Sequence, residues 1–122
     1  MTAAADVLNP VDIENAIRAC SNRIGSGVRV CSDAYAAFLD ADRMFDQAYA
    51  RAYMAHQGAA HEKKFAAELA TAAERKDRDA ADVAYRYADR LARALENELR
   101  AWQSLGASVR SMYAVAGTGV GR

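Results

Sequence analysis

Between Val83 and Met112, apolar side chains recur every three or four residues. This spacing places them along one side of an α-helix and excludes a β-strand, in which the side chains of one face alternate. Pro10 is the single proline, and 30 of the 122 residues are alanine, the strongest helix former. The sequence therefore predicts an all-α fold, with one apolar stripe formed by Val83, Tyr87, Leu91, Leu95, Leu99, Trp102, Leu105, Val109 and Met112.

Two helices are predicted before this stripe. Asn9 and Pro10 form a typical helix start, because Asn caps a helix and Pro fits its first position. We expect Gly25-Ser26-Gly27 to end the first helix, since glycine supplies the left-handed backbone at which helices often end. The first helix then spans 10–24 and carries the apolar residues Ile13, Ile17, Cys20 and Ile24.

The second helix is predicted over 28–57 and the third over 60–113. The turn at Gly58 is short, so the two should fold back antiparallel, with Phe65, Leu69 and Ala72 against the end of the second helix. The inner row of the second helix is predicted to be Cys31, Tyr35, Phe38, Asp42, Phe45, Tyr49 and Ala52.

The predicted architecture is a long antiparallel helical hairpin, similar to a coiled coil, with a short N-terminal helix packed on it. It forms a single helical domain over 9–116, between a flexible N-terminus (1–8) and a flexible Gly-rich tail (117–122). The third helix would measure about 80 Å and the second about 45 Å at 1.5 Å per residue. The difference leaves an overhanging stripe, which we expect to mediate self-association, with Trp102 as its anchor, through Leu91, Leu95, Leu99, Trp102, Leu105, Val109 and Met112.

A row of arginines on the third helix is the second candidate surface. Arginine beside an aromatic side chain can bind nucleic acid by phosphate contact and stacking. The chain has no net charge, however, and acids precede three of these four arginines by four residues, which is the favourable order for pairing on a helix. A neutralised solvent face is favoured, and nucleic-acid contact is the alternative, through Arg86, Arg90, Arg93 and Arg100 with Asp82, Asp89 and Glu96 as the acids.

Residues for catalysis or metal binding are scarce. Cys20 and Cys31 are too few and too far apart for a zinc site, and are expected to be buried free thiols. His56 and His61 are five apart, whereas a metal-binding pair on one helical face needs three or four. The glycines of residues 117–121 follow a helix instead of opening one, so they are not a phosphate loop. We therefore expect a non-enzymatic protein without cofactor or metal, and neither a membrane span nor a secretory signal.

Three segments carry a resemblance to a known family. They are Ser21–Val30 (SNRIGSGVRV), Ala48–Met54 (AYARAYM) and above all Ala84–Tyr113, which includes RALENELRAWQSLGASVRSMY. Over about residues 11–120 the chain resembles small helical proteins of bacteriophages that infect actinobacteria, a family without an assigned chemistry. The resemblance implies a phage protein in the bacterial host cytoplasm, or associated with the virion. It would be an accessory of DNA replication or recombination, an inhibitor of a host protein, or a small virion component.

Overall fold

The computed structural model describes the backbone of residues 9–120 and the side chains of residues 9–117. Three helices make up almost all of it, α1 (Pro10–Ala55), α2 (Ala60–Ala70) and α3 (Ala72–Val120), and this described part contains no strand. The all-α prediction is confirmed. None of these helices holds a stretch long and apolar enough to cross a membrane. The segment 1–8, predicted to be flexible, lies outside the described residues, as do the last two residues.

Helix α1 is longer than predicted. Asn9 caps it, because its Oδ1 accepts a hydrogen bond of 2.9 Å from the backbone N–H of Asp12. The helix then passes through Gly25 and Gly27 without a break, so the prediction of a short first helix ending at residue 24 is wrong. Neither glycine has the positive φ that would end a helix. Packing on both sides offsets the cost of about 1 kcal/mol that each glycine brings to a helix interior.

The turn after α1 lies at the predicted position. Gly58 has a φ of 140°, a backbone conformation that glycine adopts without strain. Chain reversal there brings α2 and α3 back along α1.

The predicted third helix is interrupted at Thr71. The Thr71 hydroxyl donates to the carbonyl oxygen of Ala67 at 2.7 Å, and ψ at Thr71 opens to 21°. A threonine that bonds back to the carbonyl four residues earlier often bends a helix. The prediction of one unbroken helix from residue 60 is therefore wrong at this residue. Its end is also later than predicted, because α3 runs through Gly117 to Val120 where a flexible tail was expected.

The chain divides into two compact units. Unit 1 holds the described residues of Met1–Gly27 and Leu91–Arg122, and unit 2 is Val28–Arg90. In unit 1, α1 and α3 are antiparallel: the Cys20 thiol donates to the carbonyl oxygen of Leu95 at 3.3 Å, and Ile13 lies against Gly106 further along. The buried apolar side chains of unit 1 are those of Ile13, Cys20, Leu95 and Val109.

Unit 2 pairs α1 with α3 in the same antiparallel sense. The rings of Tyr35 and Tyr85 lie 4.9 Å apart, and Asp42 lies 3.7 Å from Arg78. We call the packed side of α1 in this unit its inner row. It consists of Cys31, Ala34, Phe38, Ala41, Phe45, Ala48 and Ala52, all half-buried. Of the other predicted members, Asp42 and Tyr49 are half-buried as well, and Tyr35 is exposed.

Candidate interaction surface on α3

The predicted self-association stripe does not form one exposed surface. Leu95 and Val109 are only 5% and 7% exposed, because α1 covers them within unit 1. The predicted overhang is therefore wrong: α1 extends back to Pro10 and packs on this part of α3. Leu91 and Met112 are exposed. The remaining members, Leu99, Trp102 and Leu105, are half-buried, so Trp102 is not a free anchor.

Gly106 lies close to α1 in unit 1. A Cβ atom placed there would lie 3.2 Å from Cγ2 of Ile13 and 3.9 Å from Cδ1 of Ile17. α3 is helical on both sides of this glycine. Its role is to leave room for α1.

One side of α3 carries alternating acids and bases, and we call it the charged flank. Arg86 donates from Nε to Asp82 at 2.9 Å, as the sequence predicts. Arg100 instead bonds Asn97 at 3.1 Å. Asp89 and Arg93 each have an interaction partner. The charged flank comprises Asp82, Arg86 and Asp89 in unit 2, and Arg93, Glu96 and Arg100 in unit 1.

The other side of α3 in unit 2 is apolar and open to solvent, and we call it the apolar flank. Val83 and Tyr87 are 67% and 68% exposed. Alanines extend this side, because residues three, four and seven apart share one face of a helix. The apolar flank comprises Ala73, Ala80, Val83, Ala84 and Tyr87.

A shallow groove between α1 and α3 borders the apolar flank within unit 2. It has a volume of about 260 Å³. Its apolar wall comes from α1, where Met44 is exposed, and its rim is acidic. The groove is lined by Ala37, Asp40, Ala41, Met44, Glu74 and Asp77.

A smaller apolar stripe lies on α2. Phe65 and Leu69 are 58% and 81% exposed, while the neighbouring Ala67 is fully buried. The prediction that Phe65 and Leu69 pair with the end of the second helix is therefore wrong. Alanine is the side chain that fits the close contact there, and the two larger residues face solvent.

A charged group occupies the packed side of α3 in unit 2. The guanidinium of Arg78 lies 4.7 Å from the ring centroid of Phe45 and 3.7 Å from the Asp42 carboxylate. Its other ion pair is with Asp79 at 3.4 Å. The polar residue that interrupts the predicted apolar row of the second helix, Asp42, therefore has a partner on α3.

The two cysteines are free and differ in environment. Cys20 is buried and Cys31 is half-buried, so the prediction of two buried thiols holds for Cys20 alone. Burial raises the pKa of the Cys20 thiol, and the Glu98 carboxylate raises it further against the opposing Arg23. Cys20 is therefore a packing residue that donates to Leu95.

We expect the two thiols of the native protein to react with a thiol reagent at different rates. Because the thiolate is the reactive form, Cys31 should react with a disulfide reagent at pH 8 at least about tenfold faster than Cys20. The measurement is the time course of thiol release, with Cys31→Ser isolating the slow phase and denaturant exposing both groups. Equal native rates would contradict the burial of Cys20.

Comparison of the chain with protein families, curated proteins and solved structures gives no match. The described residues hold no group of three or more His, Cys, Asp or Glu side chains that could bind a metal ion. The feature that stands out is the distribution of apolar side chains over α2 and α3.

Proposed function

We propose that this protein is non-enzymatic and acts through helix-mediated protein–protein contacts, including self-association. One observation carries the proposal: on α2 and α3 of unit 2, the buried apolar side chains are alanines, while several large apolar side chains face solvent. Ala67 and Ala88 are buried. Val83, Tyr87 and Leu69 are each at least two-thirds exposed.

Large apolar side chains that are two-thirds or more exposed favour the binding of a partner. Burying a large apolar side chain contributes about 1.5–3 kcal/mol, so covering the apolar flank would stabilise an assembly. Contiguous apolar surface on a protein marks an interaction site more often than a solvated face. The inner row repeats at intervals of three and four, the spacing of a coiled coil, and a second apolar side on α3 is typical of helices in larger bundles.

Introducing a charge on the apolar flank should dissociate the assembly. Tyr87→Glu places a charge where burial is proposed, and we expect the molar mass in solution to fall to that of one chain. The measurement is size exclusion with light scattering at a fixed protein concentration. Helix content should stay unchanged, because Tyr87 is 68% exposed in the single chain.

The matched control is Leu69→Glu at an apolar position on α2 that is 81% exposed, against 68% for Tyr87. Dissociation by Leu69→Glu alone would move the self-association site to α2. A wild-type chain that remains monomeric would contradict self-association and leave a different protein, from the phage or its host, as the occupant of the apolar flank.

Nucleic-acid binding through the arginine row has less support. Asp82 neutralises Arg86 directly, and Arg93 also has an interaction partner. Salt-dependent DNA binding that is lost when all four arginines of the row become glutamine would favour this alternative. The absence of binding at about 50 mM salt would exclude it, since phosphate contacts are strongest at low salt.

A further inference from the structure

We propose that a groove between α1 and α3 in unit 1 binds a phosphate group, with Arg18 of α1 and Arg110 of α3 as its two cationic side chains. The groove has a volume of about 420 Å³ and is open to solvent. We call it the arginine groove. It belongs to unit 1 alone and is lined by Glu14, Ile17, Arg18, Ser21, Asn22 and Arg110.

Helix packing places the guanidinium of Arg110 beside α1. Its Nη1 atom lies 3.5 Å from the point that a Cβ atom at Gly106 would occupy, so it uses space that a side chain at residue 106 would take. The Cδ1 atom of the half-buried Ile17 lies 3.9 Å from the same point. The guanidinium therefore stands next to an apolar side chain, where water screens its charge less than on an open helix face.

The charges of the arginine groove have no partners inside the protein. Glu14, Arg18 and Arg110 are exposed, and none of them makes an ion pair in the part of the chain that the structure describes. Arg23 of the same unit, by contrast, lies 3.7 Å from Glu98. Two arginines against one glutamate leave the groove with an excess of positive charge, which favours an anion.

The donors of the arginine groove match a phosphate group better than a carboxylate. A guanidinium presents several N–H donors in a planar fork that fits the oxygens of a phosphate. Ser21 and Asn22 add a hydroxyl and an amide, and neither side chain makes a hydrogen bond among residues 9–117. Four donor side chains can serve the three terminal oxygens of a phosphate monoester, whereas a carboxylate has only two oxygens.

Glu14 opposes the binding of an anion in this groove. It precedes Arg18 by four residues, the favourable order for an ion pair on a helix, so it competes for that guanidinium. Its carboxylate would also repel a bound phosphate. Residues of one groove therefore have opposite expected effects: loss of an arginine weakens binding, and loss of the glutamate charge strengthens it.

Titration of the full chain with inorganic phosphate at low salt tests the site, followed by the amide chemical shifts of the ¹⁵N-labelled protein. The largest changes in shift should fall within residues 14–22 and 106–110. Arg18→Gln and Arg110→Gln should each weaken binding by about fivefold or more, because each removes a charge-assisted hydrogen bond. Glu14→Gln should tighten binding by about threefold or more.

The matched control is Arg51→Gln, because Arg51 is an exposed arginine of α1 that does not line the groove and makes no ion pair among the described residues. It should leave the dissociation constant unchanged. Circular dichroism of each variant separates loss of binding from loss of fold. Equal weakening by Arg51→Gln would indicate attraction to charge in general and would overturn the site. Absence of shift changes with phosphate would overturn it as well.

Three further ligands define the chemistry that the groove accepts. Acetate should bind more weakly than phosphate, and equal affinity would overturn the choice of a phosphate group. Adenosine should not bind, and binding as tight as that of adenosine monophosphate would overturn it too. Tighter binding of adenosine monophosphate than of inorganic phosphate would support a small phosphate monoester as the ligand, and equal affinity would support free phosphate.

Discussion

Replacing Ile13 by alanine should lower the free energy of unfolding by about 2–5 kcal/mol. Ile13 is only 1% exposed, and its Cγ2 atom would lie 3.2 Å from a Cβ atom placed at Gly106 of α3. Truncation removes apolar contacts and leaves a cavity that two packed helices cannot fully close. Because domains are commonly stable by only 5–15 kcal/mol, the loss is a large part of the whole. Urea unfolding followed by circular dichroism at a fixed protein concentration measures it.

Val11→Ala is the control for Ile13→Ala. Val11 lies two residues earlier on the same helix but is 64% exposed, so its truncation should change stability by no more than about 0.5 kcal/mol. Equal losses for the two variants would mean that α1 does not pack on α3 through Ile13. The unfolding midpoint in urea reports both variants in the same experiment.

Substitutions of two helical glycines should have opposite effects. Gly106→Leu inserts a side chain where even a Cβ atom lies 3.2 Å from Ile13, and should cost about 1–3 kcal/mol through overpacking. Gly25→Ala should instead stabilise the protein by about 0.5–1 kcal/mol, because nothing lies within 4 Å of a Cβ atom there and alanine is the better helix former.

Thermal unfolding of these two variants separates packing from helix propensity. If propensity alone governed both sites, Gly106→Leu would also raise the melting temperature. A stabilised Gly106→Leu variant would therefore contradict the close contact between α1 and α3. A destabilised Gly25→Ala variant would contradict the continuous helix through Gly25.

The all-α class and the turn at Gly58 could be predicted from spacing and local chemistry. The helix end expected at Gly25–Gly27 could not, since glycine permits a left-handed residue without requiring one. There the hydrogen bond from Cys20 to Leu95, and the approach of the Leu95 side chain to Gly27, hold α1 against α3 and keep it helical. Local signals identify where a helix is free to stop, and tertiary contacts decide whether it does.

The phase of the inner row was the main error in the predicted site. Choosing the largest apolar residue at each turn selected Tyr35 and Tyr87, which are 45% and 68% exposed. The helices instead pack closely through alanines such as Ala34 and Ala88. With alanine counted as a packing residue, its seven-residue repeat at Ala34, Ala41 and Ala48 would have indicated the inner row.

The same error in helical phase explains why the apolar flank was not recognised as a separate surface in the sequence. In the structure, alanines occupy the packed side of α3, and Val83 and Tyr87 lie on a separate, exposed side. The predicted stripe from residue 83 to residue 112 combined these two sides into one. The pairing of Asp42 with Arg78 also required the fold, because the two residues are distant in sequence and meet only across the hairpin. The charged flank was visible in the sequence through its regular order of acid before base.

The difference between the two flanks of α3 bears on how a self-associating chain would grow. If a helix had apolar residues on both exposed sides, each added chain would present another apolar surface to the next chain, and growth would continue into filaments. Here an approaching chain meets apolar residues on one side and mutually satisfied charges, such as Asp82 with Arg86, on the other. Covering the apolar flank would therefore leave the charged flank as the exposed side of α3 in unit 2, and that side favours water over a further chain.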